Sequence, residues 1–389
     1  MNRPLATALA LMAALSLPHP SLVAAQGTEQ GGFVTRLGVD TLAVERFTRA
    51  ANRLEGERVL RVPRTALIRY VATLGKDGRV SQFEASRFDG DRLDGPPTWS
   101  STTEFGPKVA VTTFRRGDGT DTIRTATGPG AVPMLTHAYA LDEQMVRQAR
   151  RMKGDTVPME QVFPGQSGVL PTWVSPIGRD SVAIGSFHGQ AARARIDGDG
   201  RLLGYDARGT VVKVVATRIP DLDVLEIARH FAARDAAGQA AGPVSPRDTV
   251  RARFGGAALT VDYGRPSKRG RTIFGGLLPY GQVWRTGADA ATQFTTTRDL
   301  TISGTDLRAG AYTLWTLPTE TGATLIVNAE VGQWGTEYHV KHDVARIRMS
   351  VRRLDQPAER FTIDLTSAGG GELRMRWDTT EWVVPVRVR

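Results

Sequence analysis

The sequence contains no cysteine, which excludes disulfide bonds, thiolate metal sites and cysteine nucleophiles. Aromatic residues make up only 7% of the 389 residues, and Lys and Arg never form runs of five or more. After residue 25, no apolar stretch approaches the roughly 20 residues that a membrane-spanning helix needs. The chain is 41% hydrophobic and long enough for two domains. It must therefore be stabilised by core burial alone.

The first 25 residues have the parts of a secretory signal peptide. Arg3 supplies the positive start, and residues 5–17 form an apolar stretch that is too short to span a bilayer. Small residues at positions 23–25 precede an expected cut near Gln26. A membrane anchor is the alternative, whereas the missing cysteine excludes a lipoprotein. We expect a bacterial protein exported to the periplasm or the medium, because export without disulfides fits that compartment.

The formal net charge is +10 and the isoelectric point is near 10.2. A basic protein can bind nucleic acid, anionic envelope surfaces or acidic glycans. No nucleic-acid-binding motif is present, and an exported protein seldom meets nucleic acid. We therefore expect no nucleic-acid partner, no transmembrane segment and a positive charge that is mostly dispersed over the surface. The sequence leaves the oligomeric state open.

Residues 26–235 are predicted to form a β-rich N-terminal domain. Alternating segments are separated by turn signals at residues 76–78, 117–119 and 197–200. Residues 210–219 are predicted to be one of the strands, and residues 26–32 a loose polar start. The pattern predicts an antiparallel meander that forms a curved sheet or partial barrel with a helix.

Two helices interrupt this pattern. Leu141, Met145, Ala149 and Met152 recur at helical spacing before Gly154. A second helix is predicted to be capped by Asp221, with Asp223 in its first turn, and to end at Gly238. Residues 236–246 are rich in small residues and uncharged, which is typical of a linker.

Residues 247–389 are predicted to form a second domain, because apolar residues alternate with polar ones in several segments. About nine strands result, which indicates a β-sandwich of jelly-roll type. Pro385 is expected on an edge strand. Outward arginines such as Arg346, Arg374 and Arg376 either form a basic face or pair across strands with Asp364 and its neighbours; we favour pairing.

Residues 262–295 carry the densest motifs. RPSKRGRTIFG (265–275) is followed by LLPYGQVWRTGA (277–288), and later by AGAYTLWTLP (309–318), LIVNAEVGQWG (325–335) and MRWDTTEWVVPV (375–386). In this order the motifs resemble the DUF2911 family, a domain of unknown function, over about residues 250–389. Members often have Lys where Arg269 stands. The resemblance implies a secreted bacterial β-rich domain and brings no established chemistry.

The segment also supplies the candidate ligand site. Arginine presents a planar fork to carboxylate or phosphate, and Trp and Tyr offer flat surfaces to a sugar ring or apolar group. The candidate ligand-binding residues are Arg265, Lys268, Arg271, Tyr280, Trp284, Arg285 and Trp334. In the alternative interpretation Trp284 belongs to the core and Arg285 pins loop carbonyls.

Catalytic and metal sites are the weaker alternatives. A metal site would use Glu337, His339, His342 and Asp343, which lack any known zinc spacing. Glycoside hydrolysis would need two of Asp262, Asp289 and Glu337 to face each other. The Gly165-Gln166-Ser167-Gly168 stretch lacks the spacing of a serine nucleophile, and the Asp197–Gly200 turn lacks the EF-hand donors. We expect neither a metal nor a cofactor.

Three functions remain open. The leading hypothesis is a non-catalytic module that binds an anionic or carbohydrate-like small molecule or glycan through the Arg/Trp segment. The second is a hydrolase that acts on envelope or extracellular glycans or esters. The third is a carrier of lipids or other apolar ligands that uses the N-terminal curved sheet, by analogy of fold alone.

Overall fold

The computed structural model describes residues 27–152, 154–186, 190–367 and 371–389. The predicted signal peptide, residues 1–25, lies outside the described residues. The described chain forms two large β-sheets and two α-helices, which confirms the mainly β class. We refer to the sheets as the first sheet, built from residues 29–219, and the second sheet, built from residues 247–388.

Within the residues that the structure describes, the first sheet has fifteen strands. They are β1 Glu29–Leu37, β2 Asp40–Ala50, β3 Arg53–Leu60, β4 Ala66–Leu74, β5 Val80–Asp89, β6 Trp99–Phe105, β7 Val109–Arg116, β8 Gly119–Ala126, β9 Val132–Pro133, β10 Val157–Val162, β11 Val169–Pro176, β12 Ser181–Ser186, β13 Ala191–Ile196, β14 Leu202–Asp206 and β15 Val215–Ile219. Neighbours are antiparallel except for the parallel pair β9 and β10. Strand β1 pairs with both β2 and β15, so it joins the two halves of the meander.

The central position of β1 corrects one prediction. The polar, glycine-rich start was expected to be loose, but β1 begins at Glu29. A Cβ at Gly32 would collide with the backbone of Glu45 on the neighbouring strand, so the glycine permits close packing there. Phe33 follows with no exposed surface and anchors the strand in the core.

The first sheet curves until its ends approach each other. The backbone N–H of Gly128, just after β8, donates to the Glu160 carboxylate on β10 at 2.5 Å. Gly165, between β10 and β11, lies against the ring of Phe114 on β7. The sheet is therefore a partial barrel, as the meander pattern predicts.

Helix α1, Tyr139–Met152, packs on the concave face of this barrel. Its predicted apolar stripe is buried at Leu141, Met145 and Ala149, whereas Met152 is exposed. The helix begins where Glu45 of β2 accepts hydrogen bonds from the backbone N–H groups of Tyr139 and Ala140. A strand carboxylate thus satisfies the free donors of the first turn.

Helix α2, Val224–Ala236, packs on the convex face against Val44, Val59 and Leu67. The predicted cap, Asp221, is wrong. Asp223 is the cap, because its Oδ1 accepts the backbone N–H of Glu226 at 2.9 Å. Gly238 follows the helix end with a φ of 77°, a conformation that glycine adopts at little cost.

The second sheet has nine strands in the described chain. They are β16 Arg247–Phe254, β17 Ala257–Gly264, β18 Thr292–Thr296, β19 Leu300–Ile302, β20 Thr305–Leu307, β21 Gly310–Thr319, β22 Gly322–Asn328, β23 Asp343–Thr366 and β24 Glu372–Val388. Their order is β16-β17-β18-β21-β22-β23-β24-β19-β20. Strands β17 to β24 all contribute buried side chains to one core.

The number of strands agrees with the prediction, but the strands themselves differ from the predicted ones. Four predicted strands merge into the long strands β23 and β24, and the short hairpin β19–β20 was missed. Pro385 is not on an edge strand. It lies in β24 between Val383, which pairs with β23, and Val386, which pairs with β19. Proline has no backbone N–H, and it is tolerated here because it lies where β24 changes from one partner strand to the other.

The outward arginines of the second sheet mostly pair with acids. Arg376 on β24 bonds to Asp364 on β23, and Arg374 bonds to Glu372 at 2.6 Å. Arg346 bonds to Asp343 at 2.7 Å. Of these pairs, Arg376–Asp364 joins two strands, as the favoured interpretation expects, whereas the other two join residues of one strand.

The two sheets contact each other near the tip of the 265–275 motif. The backbone N–H of Val39, between β1 and β2, donates to the carbonyl of Arg269 at 3.1 Å. The guanidinium of Arg269 also bonds to Asp40. The backbone N–H of Gly242 donates to the carbonyl of Pro63 at 2.9 Å and holds the connecting segment against the first sheet.

Candidate functional site

A cleft of about 1140 Å³ lies between the two sheets. The first sheet contributes Leu37, Leu42, His137 and the loop 208–214 between β14 and β15. The second sheet contributes Trp284, Arg285, Arg271 and parts of the 276–289 segment, with Trp377 behind them. A concave site between two folded units is where small ligands commonly bind.

Trp284 forms a fixed wall of the cleft. Its backbone N–H and C=O both bond to Thr316 at 2.8 Å, and its indole Nε1 donates to the carbonyl of Gly287 at 3.0 Å. The ring stacks on Trp377 with centroids 5.8 Å apart and meets the edge of Phe361 at 4.9 Å. Trp284 is therefore part of the core and also lines the cleft.

Arg285 follows directly and is only partly exposed. Its side chain packs on Gly335, where a Cβ would collide with it, and its buried Nε has no hydrogen-bond partner among the described residues. Burial lowers the pKa of Arg285, and the nearby Asp289 opposes that effect. The neighbouring Thr286 has a φ of 52° and bonds to Thr316 through their hydroxyls at 2.7 Å, which fixes this bend.

Arg271 is held by loop carbonyls rather than by an acid. Its Nε donates to Lys268 O at 3.0 Å and its Nη2 donates to Ser267 O at 2.6 Å. Burial lowers the pKa of Arg271, and the charge of Arg269 lowers it further. The neutral carbonyls orient the guanidinium, and Glu359 and Asp40 compensate its charge only through space.

Lys213 brings a third cation from the first sheet. Residues 210–219 were predicted to be a strand, but β15 begins only at Val215. Thr210 turns the chain by donating its hydroxyl to Ala207 O at 2.8 Å, and Lys213 has a φ of 60°. Burial lowers the pKa of Lys213, and the charges of Arg285 and Arg271 add to the effect. Lys213 therefore lies within electrostatic reach of both arginines of the cleft.

The other predicted site residues lie outside the cleft wall. Arg265 bonds to Asp248 at 3.0 Å and to Thr362 at 2.9 Å, and Lys268 bonds to Asp378 at 2.5 Å. Tyr280 and Trp334 are 41% and 44% exposed. Of the seven candidates, the structure brings Arg271, Trp284 and Arg285 together. Lys213 and His137 join them from a part of the chain that carried no site motif.

The residues of the metal and carboxylate alternatives make other contacts. His339 Nδ1 lies 2.8 Å from Glu330, and Glu337 accepts the backbone N–H of Trp334. Asp262 pairs with Arg247. In the described part of the chain, no group of three or more His, Asp or Glu side chains is arranged to hold a metal. Asp197 accepts the backbone N–H groups of its own turn.

This geometry defines the class of protein: it is mainly β, with a basic cleft between its two sheets. Residues 245–386 match the family of proteins of unknown function DUF2911, which confirms the resemblance over the C-terminal part of the chain. The region before residue 245 has no family match. No curated protein matches the sequence. No helix among the described residues is long and apolar enough to cross a membrane.

Two solved structures are similar in shape to part of the chain. A DUF1089 family protein from Pseudomonas aeruginosa aligns with a TM-score of 0.32 and 10% identity, covering 42% of this chain and 89% of that one. A β-barrel-like protein of the domain of unknown function DUF1849 from Brucella abortus aligns with a TM-score of 0.32 and 11% identity, covering 50% of this chain and 97% of that one.

Proposed function

We propose that the protein is an exported, non-catalytic binding module whose cleft takes a small anionic ligand. The observation that carries the proposal is the meeting of Lys213, Arg271 and Arg285, contributed by two sheets, around one cleft beside Trp284. The repulsion between Lys213 and the two arginines, in a partly desolvated space, is relieved by an anion. The Trp284 side of the cleft offers an aromatic surface that suits a carbohydrate ring or an apolar group.

Two features favour binding over the alternative functions. Asp289 is the one acidic residue among the described residues of the cleft wall, whereas glycoside hydrolysis needs two carboxyl groups. The concave face of the first sheet, where an apolar ligand would have to lie, is packed with helix α1. Export is inferred from the signal pattern of residues 1–25.

Thermal denaturation of the full chain with a panel of ligands tests the proposal. The panel includes inorganic phosphate, carboxylic acids, acidic and neutral glycans, divalent metals and fatty acids. A ligand at a hundredfold excess over its Kd stabilises the folded state by about 2.7 kcal/mol, which is a clear shift in melting temperature. We expect anions and acidic glycans to stabilise the protein, with an effect that weakens as salt increases. Stabilisation by fatty acids alone would contradict the proposal.

Variants connect the effect to the cleft. Arg285→Gln and Lys213→Gln each remove one cation and are expected to weaken anion binding about tenfold, the loss of one charge-assisted contact. Arg308→Gln is the matched control, because Arg308 is an exposed arginine of the second sheet outside the cleft. Equal affinities in all three variants would place the anion elsewhere on the surface.

A further inference from the structure

The cleft between the two sheets is much larger than a bare oxyanion requires. Its volume of about 1140 Å³ is that of a site for a whole organic molecule, because pockets of about 300–1000 Å³ already enclose ligands of drug size. Lys213, Arg271 and Arg285 account for one charged group of such a molecule. The rest of the lining therefore determines which kind of body carries that group.

The first sheet lines the cleft with one apolar cluster. Leu37, Leu42 and Val214 are buried and pack together, and the half-buried Val244 packs against them. All four residues line the cleft, and we refer to them as the apolar floor. Val214 follows Lys213 directly in the chain, so the apolar floor begins beside one of the three cations.

Two exposed valines extend the apolar floor in the loop between β14 and β15. Val211 is 40% exposed, Val212 is 52% exposed, and both line the cleft. The loop is closed by hydrogen bonds, because the backbone N–H of Ala207 donates to Val214 O at 2.8 Å and that of Val212 donates to the Thr210 hydroxyl at 3.1 Å. Neighbouring exposed apolar side chains at the edge of a cleft are typical of a ligand-binding surface.

The second sheet contributes an apolar wall to the same cleft. This apolar wall consists of Leu277, Leu278 and Trp284, which all line the cleft and pack in the core of the second sheet. The apolar floor belongs to a separate core. Apolar surfaces from two different cores therefore border one open cleft, and an apolar ligand body in the cleft contacts both of them.

Carboxylate and amide partners for sugar hydroxyls are few in the described part of the cleft lining. Asp289 is the one acid there, and Gln190 and Gln282 are the amides. A sugar hydroxyl that loses its water needs a polar partner, and the apolar floor and the apolar wall provide none. The lining therefore favours an apolar body over a carbohydrate ring.

We propose that the ligand is an amphiphile with one oxyanion group and an alkyl body, an inference that rests on the proposed function and deepens it. Lys213, Arg271 and Arg285 bind the oxyanion, which is the carboxylate of a free alkyl acid or the phosphate of a lipid. The alkyl body lies between the apolar floor and the apolar wall. The concave face of the first sheet plays no part, because α1 packs on it.

Calorimetric titration of the full chain with straight-chain carboxylates, from acetate to decanoate, tests the proposal. Each carboxylate is used below its critical micelle concentration and at one ionic strength. We expect the affinity to rise about fourfold for each methylene group that enters the cleft, until the chain outgrows it. The methyl resonances of labelled Leu42 and Val214 are expected to shift with octanoate and to stay unchanged with acetate.

Three further ligands separate the charged group from the body. Glucuronate has a carboxylate on a polar ring, and we expect it to bind no more tightly than acetate. Octanol has the alkyl body without the charge, and we expect it to bind at least about tenfold more weakly than octanoate. Octyl phosphate carries the other oxyanion, and the tighter ligand of the pair octyl phosphate and octanoate identifies the natural charged group.

The decisive variant combines Val211→Thr with Val212→Thr. Threonine has nearly the shape of valine and both positions are exposed, so we expect an unchanged melting temperature. The affinity for octanoate should fall about tenfold through the loss of two methyl contacts, while the affinity for acetate stays the same. Val331→Thr is the matched control, because Val331 is 50% exposed and does not line the cleft. Val212→Thr alone serves if the double variant fails to fold.

The outcomes separate the two proposals. If acetate and phosphate bind but the affinity does not rise with chain length, the amphiphile is wrong while the anion site stands. The same conclusion follows if glucuronate binds more tightly than octanoate, or if the threonine variants bind octanoate as tightly as the unaltered chain. If octanol equals octanoate and Arg285→Gln leaves the octanoate affinity unchanged, the anion site is wrong and both proposals are overturned.

Discussion

The two sheets treat charge in opposite ways. In the first sheet, Glu45, Arg58 and Glu143 lie inside the barrel with almost no exposed surface. In the second sheet, the core is apolar and aromatic, and ion pairs such as Arg376–Asp364 lie at the surface. A buried charge contributes to stability only as part of a complete network, whereas a surface pair contributes little. The first sheet should therefore be sensitive to charge substitutions and the second should tolerate them.

The largest effect is expected for Glu143→Ala in α1. Glu143 has no exposed side-chain surface and bonds to Arg218 at 2.7 Å, to Arg147 at 3.1 Å and to Arg49 at 3.4 Å. Its removal leaves only Glu29 to balance the three arginines, and we expect a loss of about 3–5 kcal/mol in the free energy of unfolding. Chemical denaturation measures this loss. A loss below about 1 kcal/mol would remove the contrast between the sheets.

Asp142→Asn should change how stability depends on pH. Burial raises the pKa of Asp142 to about 7 from its ordinary 3.8, against a hydrogen bond from Gln161. Because the folded state holds this proton more tightly than the unfolded state, stability is greatest below about pH 4 and is lost as the pH rises through about 7.

The Asn variant should be the more stable protein above about pH 7, by about 1–3 kcal/mol, and nearly equal to the unaltered chain near pH 4. Denaturation at several pH values measures the difference. Glu45, whose pKa burial raises to about 7, supplies a remaining slope in both proteins. Parallel stability curves for the two proteins would show that Asp142 is well solvated.

Asp223→Ala tests the cap of α2 on the convex face of the first sheet. Asp223 accepts the Glu226 N–H, and loss of such a cap typically costs about 1 kcal/mol. Asp221→Ala is the matched control, because Asp221 bonds only to the N–H of the next residue, Leu222. Thermal melts should rank Asp223→Ala below Asp221→Ala, and the reverse order would restore the cap predicted from sequence.

The smallest effect is expected for Asp364→Ala in the second sheet. Its side chain is 37% exposed and pairs with Arg376, which is 40% exposed. We expect a loss of at most about 1 kcal/mol, decreasing with added salt. This variant and Glu143→Ala each remove one carboxylate, so their effects on stability can be compared directly. A loss as large as the one at Glu143 would mean that surface position does not separate the two sheets.

The spacing of apolar residues predicted those helices and strands that have one apolar face and one polar face. The stripe of α1 and the alternation around Ile347 and Ile363 both place apolar residues in the cores where they are found. The lengths of the strands were harder to predict. Strand β23 continues through Pro357, although a proline usually indicates the end of a strand. Register shifts between Arg353 and Thr362 accommodate it.

Only the part of the candidate site that lies within one sequence motif could be predicted. Arg271, Trp284 and Arg285 belong to one motif, so sequence proximity brought them into the hypothesis. Lys213 and His137 are distant from this motif in the chain, and only the packing of the two sheets brings them to the cleft. The left-handed φ values of Lys213 and His137 have no signature in residue type, because glycine does not occupy either position.

The most direct test is a crystal of the full chain soaked in selenate, an oxyanion visible by its anomalous scattering. We expect an anomalous peak in the cleft, at about 3 Å from the side-chain nitrogens of Lys213, Arg271 or Arg285. An empty cleft, with selenate bound only at surface arginines such as Arg346, would contradict the claim that cations from both sheets form one anion site.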